Sequence, residues 1–141
     1  EKLIVFSKFT SLTKPDEIVV TLVDSHFIHK PDISAELELQ RVNLQNNASG
    51  LVVSAGVKNL TPFTIAQVNL PVSVYDSKNK IVAVNFTYIN ALQSGETRTF
   101  QELWPISITG AVRAEIVPEV NIFDRNIFST PAGTSSFIET P

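Results

Sequence analysis

The side chains best suited to chemistry are His26 and His29, with Asp24 and Asp32 close by, because imidazole and carboxylate are ligands for zinc and related ions. Their spacing works against a shared site. Residues three apart on a strand point to opposite faces, so the two imidazoles converge only if the chain turns at Ile28 or Lys30-Pro31. Ordinary strand-end and linker histidines are the simpler reading. Asp76 and Asn79, around Ser77-Lys78, offer oxygens to a surface Ca²⁺, yet two side chains fall short of the about six to eight ligands that ion takes. A hairpin turn accounts for them better. Hydrolysis finds no firmer footing, since no Ser sits in a Gly-x-Ser-x-Gly elbow and the chain has 2 His in all. The carboxylate pairs Glu36/Glu38 and Glu115/Glu119 read as solvated faces of edge strands. The 5 Gly are isolated, so no phosphate-cradling loop is present, and with 0 Cys there is no disulfide, thiolate nucleophile or thiolate metal site. No catalytic residue, metal or cofactor is expected, and the chain is read as not an enzyme. Asn-x-Ser/Thr triplets stand at Asn47, Asn59 and Asn85; Asn47 and Asn59 fall on expected loops and are the candidate glycosylation sites, whereas Asn85 falls mid-strand.

The composition points the same way. A chain of 141 residues with 43% hydrophobic and 18% charged residues can bury one good core, with room for part of a second module. Its 14 acidic and 11 basic residues are scattered, without the basic stripe that a phosphate backbone requires, which argues against a nucleic-acid partner. No run approaches the about 20 apolar residues of a membrane span, and the opening Glu1-Lys2-Leu3-Ile4-Val5-Phe6 is too short for a signal peptide. The absence of Met suits a fragment or processed chain, with any export signal or anchor expected outside the segment.

What must position any site is a set of strands, because the dominant pattern is period-two alternation. From Ile65 to Asp76 the even positions Ala66, Val68, Leu70, Val72 and Val74 are apolar and read as the buried face of one strand. Pro71 removes a donor from it, predicting either an edge position or a bulge. Ile33, Ala35, Leu37 and Leu39 form another inward set, followed by a change of phase near Arg41 that reads as a bulge. Val53, Ala55 and Val57 form a third set, Val82, Val84, Phe86 and Tyr88 a fourth, and Val112, Ala114 and Ile116 a last one closed by Pro118. The strand from Thr97 to Trp104 is less clean, with Trp104 expected in the core or at its rim. Asn46–Gly50, Asn59–Pro62, Asp76–Asn79 and Gln93–Glu96 are turn signals. No segment offers a helical period, so the fold class is all-β, an immunoglobulin-like antiparallel β-sandwich.

The ends differ from the middle. Residues 2–9 and 18–28 read as two apolar strands around Lys14-Pro15-Asp16, and a lone hairpin is marginal in water. Residues 1–31 are therefore expected to be the end of an upstream module or a donor strand, 32–128 the sandwich, and 129–141 a flexible linker or tail. Within 120–128, Ile122, Phe123, Ile127 and Phe128 are apolar beyond the last core strand; they read as an added edge strand or an interaction segment.

Val57-Lys58-Asn59, Val72-Ser73-Val74-Tyr75-Asp76 and Leu92-Gln93-Ser94-Gly95-Glu96-Thr97 together resemble the FxLYD-type immunoglobulin-like domains of bacterial cell-envelope proteins. In those domains a VxN strand, a Tyr-Asp strand end and an L-x-x-G-E turn recur in this order. Leu103-Trp104-Pro105, Glu115-Ile116-Val117-Pro118 and Val120-Asn121-Ile122-Phe123 look like variants in anchored surface proteins of candidate-phylum bacteria, so that the resemblance covers roughly residues 33–125. Val72 and Val74 stand where that family favours Phe and Leu. The resemblance implies a non-catalytic structural or adhesion module, extracellular or in the cell envelope. Its implied partners are neighbouring modules, identical subunits, other surface proteins or glycans. The alternative is a filament or pilus subunit assembled by strand donation from the N-terminal segment.

Overall fold

The computed structural model of the chain describes residues 34–130, together with Val19 and Thr21. Most of the expected hairpin, with Asp24, His26, His29, Asp32 and Ile33, and the tail beyond Thr130 lie outside the described residues. The described strands are β1 (Leu37–Asn47), β2 (Gly50–Asn59), β3 (Thr64–Tyr75), β4 (Ile81–Leu92), β5 (Thr97–Trp104), β6 (Arg113–Ile116) and β7 (Phe128–Ser129). No helix occurs among the described residues. One sheet has the order β1-β2-β5; the other has β4-β3-β6, with β7 also on β3. Every pairing is antiparallel. The two sheets face each other as an immunoglobulin-like sandwich whose two poles have different characters.

At one pole the chain makes hairpins. Ser49 N donates to Asn47 Oδ1 at 2.9 Å inside the β1–β2 turn, and Asp76 Oδ1 accepts from Lys78 N at 2.8 Å and Lys80 N at 2.9 Å in the β3–β4 turn. Asn79 takes the left-handed conformation that this turn needs, with φ 59°. Asn46 joins these hairpins to the β5–β6 connection: its amide donates to Ile108 O at 2.7 Å and accepts from Ile108 N at 3.1 Å and Ser107 Oγ at 3.0 Å. Gly50, at φ 138°, is required there because a Cβ would collide with the Trp104 carbonyl oxygen.

The core is aliphatic. Leu51, Val53, Ala55 and Val57 of β2 face Val68, Leu70, Val72 and Val74 of β3, with Ile89, Leu92, Phe100, Ile116 and Ile127 closing the cluster. Each fully buried Val or Leu contributes about 1.5–3 kcal/mol relative to leaving it in water. Ala35, Leu37 and Leu39 line the rim, as does Trp104. The expected change of phase near Arg41 is a register shift between Gln40 and Asn43, with Arg41 at φ 52°.

Three expectations are corrected. Pro71 lies neither on an edge strand nor at a bulge, since β3 pairs on both sides and its shift with β4 falls at Val74/Tyr75. Asn69 exchanges backbone bonds with Glu119 at 2.8 Å each way, and Val72 pairs with Ile116, so the donor that Pro71 lacks falls in the gap between these two pairings. Val117 N still reaches Pro71 O at 3.4 Å. A central strand thus tolerates Pro where its neighbour's ladder is already interrupted.

The second correction concerns β4. Val84, Phe86 and Tyr88 share a face as the alternation predicts, but that face is the outer one, with Val84 51% and Tyr88 55% exposed. The register pairs inward Val68, Val72 and Val74 with Ile89, Asn85 and Ala83, so the odd residues of β4 look into the sandwich. Phe86 is therefore not a core residue. The third is at the periphery: Val112 is exposed just before β6 begins, and Ala66 is exposed where Ile65 takes the buried position opposite Leu92. Beside that pair, on β4, Ala91 has a positive φ of 50°.

Candidate functional site

At the second pole the polar chemistry is concentrated on Asn59, the last residue of β2 and fully buried. Its amide nitrogen donates to Phe63 O at 2.7 Å, Leu92 O at 3.0 Å and Gln93 O at 3.1 Å. Its amide oxygen accepts from Thr61 N at 2.9 Å and Thr61 Oγ1 at 2.7 Å. Its backbone completes the knot: Asn59 N donates to Glu96 O at 3.0 Å, and Gly95 N donates to Asn59 O at 2.9 Å. One side chain thus ties the β2–β3 crossover to the β4–β5 crossover, where buried carbonyls would otherwise lack donors. Asn59 is accordingly no glycan acceptor in this fold, because its amide is buried and fully used; the loop placement read from the triplet is corrected. Asn47 is exposed. Asn85 is half-buried and donates to Glu102 Oε1.

The open side of the sandwich, where β4 lies over β5, carries the described ionisable groups with shifted acidities. Arg98 donates to Asn90 O at 2.6 Å, to Ala91 O at 3.3 Å and to Glu96 Oε1 at 2.5 Å. The Gln93 backbone N–H and then the Arg98 side chain hold the Glu96 carboxyl below its ordinary value of 4.5. Burial pushes the Glu102 carboxyl above the same value. The signs oppose. Glu102 binds its proton more tightly in the folded state, so its stabilisation is complete below pH 4.5 and is lost as pH rises through the raised value. Glu96 stabilises above pH 4.5, and that contribution is lost as pH falls through the lowered value. Urea denaturation from about pH 4 to about pH 7 should therefore show Glu102→Gln gaining on the parent as pH rises. Glu96→Gln should flatten the acid limb. A parent-to-E102Q difference that stays constant across this range would refute the Glu102 assignment.

The described concavity that could admit a ligand lies on the outer face of the β1-β2-β5 sheet. It is a shallow, open depression of roughly 670 Å³ lined by Gln40, Arg41, Ser54, Gly56, Thr97, Thr99 and Gln101, among others. Gly56 is part of the lining, and a Cβ there would meet Gln40 Cβ and Thr97 Cγ2 at 3.5 Å, an ordinary contact. The bulge delivers Arg41 to its edge. Hydroxyls, amides and one guanidinium can hydrogen-bond a polar or anionic ligand; with no carboxylate or imidazole in the lining, they supply no acid–base pair. In the sequence, only the change of phase at Arg41 hinted at this surface.

The other sequence candidates are dispersed. Asp76 Oδ1 is committed to its turn, and Asn79 Oδ1 accepts from Arg113 Nη2 at 3.5 Å, while the Arg113 guanidinium lies 4.1 Å from the centre of the Tyr75 ring. Glu36, Glu38 and Glu119 are exposed, and Glu115 pairs with Arg113 at 3.4 Å. No group of His, Asp or Glu among the described residues is arranged to hold a metal. Ile127 is buried and Phe128 packs its ring 6.1 Å from that of Phe63, whereas Ile122 is half-buried and Phe123 exposed in a run of turns. No helix among the described residues is long and apolar enough to cross a membrane.

Strand order, facing sheets and polar crossovers define an all-β, immunoglobulin-like antiparallel sandwich. No protein-family model matches the chain, and no curated protein matches it. Among solved structures it is similar to a DUF1425 family member from Shewanella sp. pv-4, known from a crystal structure at 1.81 Å. The two superpose with a TM-score of 0.50 and 17% identity over 65% of this chain and 84% of that one, a likeness of fold.

Proposed function

We propose that the chain is a non-catalytic structural or adhesion module of an extracellular or cell-envelope surface protein, akin to the FxLYD-type domains. The supporting observation is where the residues of that resemblance are used. Asn59, ending Val57-Lys58-Asn59, bonds the carbonyls of Leu92 and Gln93 at the start of Leu92-Gln93-Ser94-Gly95-Glu96, and Asp76 of Tyr75-Asp76 closes the β3–β4 hairpin at the opposite pole. They serve the architecture, as expected where a shared scaffold carries different surfaces. Neighbouring modules, other surface proteins and glycans are the partners this reading suggests, with Asn47 the remaining loop sequon. The full chain should show no turnover on a panel of ester, peptide, glycoside and phosphoester substrates. It should bind glycans, if at all, through the Gly56 depression, so that Arg41→Ala weakens binding. Saturable turnover abolished by Glu102→Gln would overturn the non-catalytic reading.

A further inference from the structure

The bulge in β1 does more than interrupt a ladder. Gln40 pairs with Gly56 and Asn43 with Ser54, so Arg41 and Val42 together oppose Ala55. Leu37 and Leu39 before the bulge and Leu44 after it pack against the core. Strict alternation from Leu39 would point residue 41 inward as well. The extra residue re-aims it, and Arg41 is exposed at the edge of the outer depression instead. Its φ of 52° is uncommon for a residue other than Gly, and such outliers cluster where a side chain is held for binding.

The guanidinium placed there is uncommitted. Arg98 is held by Glu96 and Arg113 by Glu115, whereas Arg41 has no hydrogen bond or ion pair among the described residues. The lining contains no carboxylate to neutralise it. Around it stand the hydroxyls of Ser54, Thr97 and Thr99 and the amides of Gln40 and Gln101, which both donate and accept, as the hydroxyls of a sugar do. A simple anion would use the donors and leave the acceptors idle. Phe100 is buried in the core cluster and offers no ring face for stacking, so an uncharged sugar would gain little here. The guanidinium supplies what stacking does not, a two-pronged bond to a carboxylate.

We propose that this depression binds an acidic saccharide, with Arg41 holding the carboxylate and the β2 and β5 hydroxyls holding the ring hydroxyls. The inference rests on the surface-module reading. Amide chemical shifts of the full chain are the readout, with glucuronate, galacturonate and N-acetylneuraminate as probes. At least one of the three should shift Gly56, Thr97 and Thr99 saturably, and more weakly as salt is raised. Arg41→Ala should weaken that binding by roughly tenfold or more. Arg41→Gly should do the same with the fold intact, because glycine accepts φ 52° without strain. Lys58→Ala removes a nearby cation that pairs with Thr97 outside the lining, and should leave binding unchanged. No saturable shift at these amides with any of the three acids would overturn the proposal. So would equal binding of methyl glucuronate ester, which lacks the charge, equal binding of acetate, which lacks the sugar, or equal loss in K58A. Those outcomes remove the acidic-saccharide site and leave the module reading standing, whereas cleavage of an oligogalacturonate would remove the module reading and the inference with it.

Discussion

Asn59→Ala should lower the unfolding free energy by about 3 kcal/mol or more, and the melting temperature by on the order of 15 °C for a domain of this size. The argument is one of orphaned partners. The Asn59 amide donates to three carbonyls and accepts from the Thr61 amide and hydroxyl, all at the pole where both sheets converge. Truncation leaves several of these groups in a site closed to bulk water, and each unmet buried group costs about 1–3 kcal/mol. Asn59→Asp should be worse than its near-isosteric size suggests, because a carboxylate cannot donate to the carbonyls of Phe63, Leu92 and Gln93. Urea denaturation of both variants against the parent is the measurement. If N59A falls within about 1 kcal/mol of the parent, the hub is ornamental and another contact joins the crossovers.

Leu70→Asp should abolish folding, whereas Val84→Asp should leave the sandwich intact. Leu70 is wholly buried between Val68 and Val72, so the change removes about 2 kcal/mol of apolar transfer and sets an unpaired carboxylate in the core at several kcal/mol more. That sum rivals the about 5–15 kcal/mol that ordinarily separates a folded domain from its unfolded chain. Val84 has half its surface in water, and a charge there should change stability by no more than about 1 kcal/mol. Circular dichroism and soluble yield distinguish the pair. Soluble, folded L70D would remove the core assignment; a V84D variant that unfolds like L70D would mean that β4 faces the other way.

That contrast marks where the sequence was legible. For β2 and β3 the apolar set was decisive, because Val53, Ala55 and Val57, and Val68 to Val74, alternate with residues that are mostly polar, so one face alone can be buried. For β4 the alternation picked out the more apolar phase, Val82 to Tyr88, and the exposed Val84, Phe86 and Tyr88 of that phase lie outside. Its inner face holds Asn85 and Thr87 because the seam against β5 is partly polar, with Asn85 bonded to Glu102. Pairing register decided the matter, and register depends on contacts far apart in sequence. Pro71 was misplaced for a related reason: the rule that Pro belongs at an edge applies to each hydrogen bond, and the gap it occupies is set by Glu119 and Pro118 nearly 50 residues on. Asn59 was visible as a motif residue and as a sequon, yet its role was not, since a sequon does not state whether its amide is already engaged. The depression over Gly56 left almost no trace, because it is made by residues from three strands.

The position of Asn59 also bears on how the module would carry load. Leu37 pairs with Asn59 where the described chain enters, and β7 pairs with Thr64 and Ile65 where it leaves, so entry and exit lie at the same pole on either side of one short crossover. Tension drawn through both ends would run across that pole, transverse to the strands. It would peel β1 from β2 and the two-residue β7 from β3 one hydrogen bond at a time, instead of shearing a whole ladder together. A tether built from such units would be compliant, extending early under modest force, with the pairing of Leu37 to Asn59 the first to open and that of Asn47 to Gly50 the last.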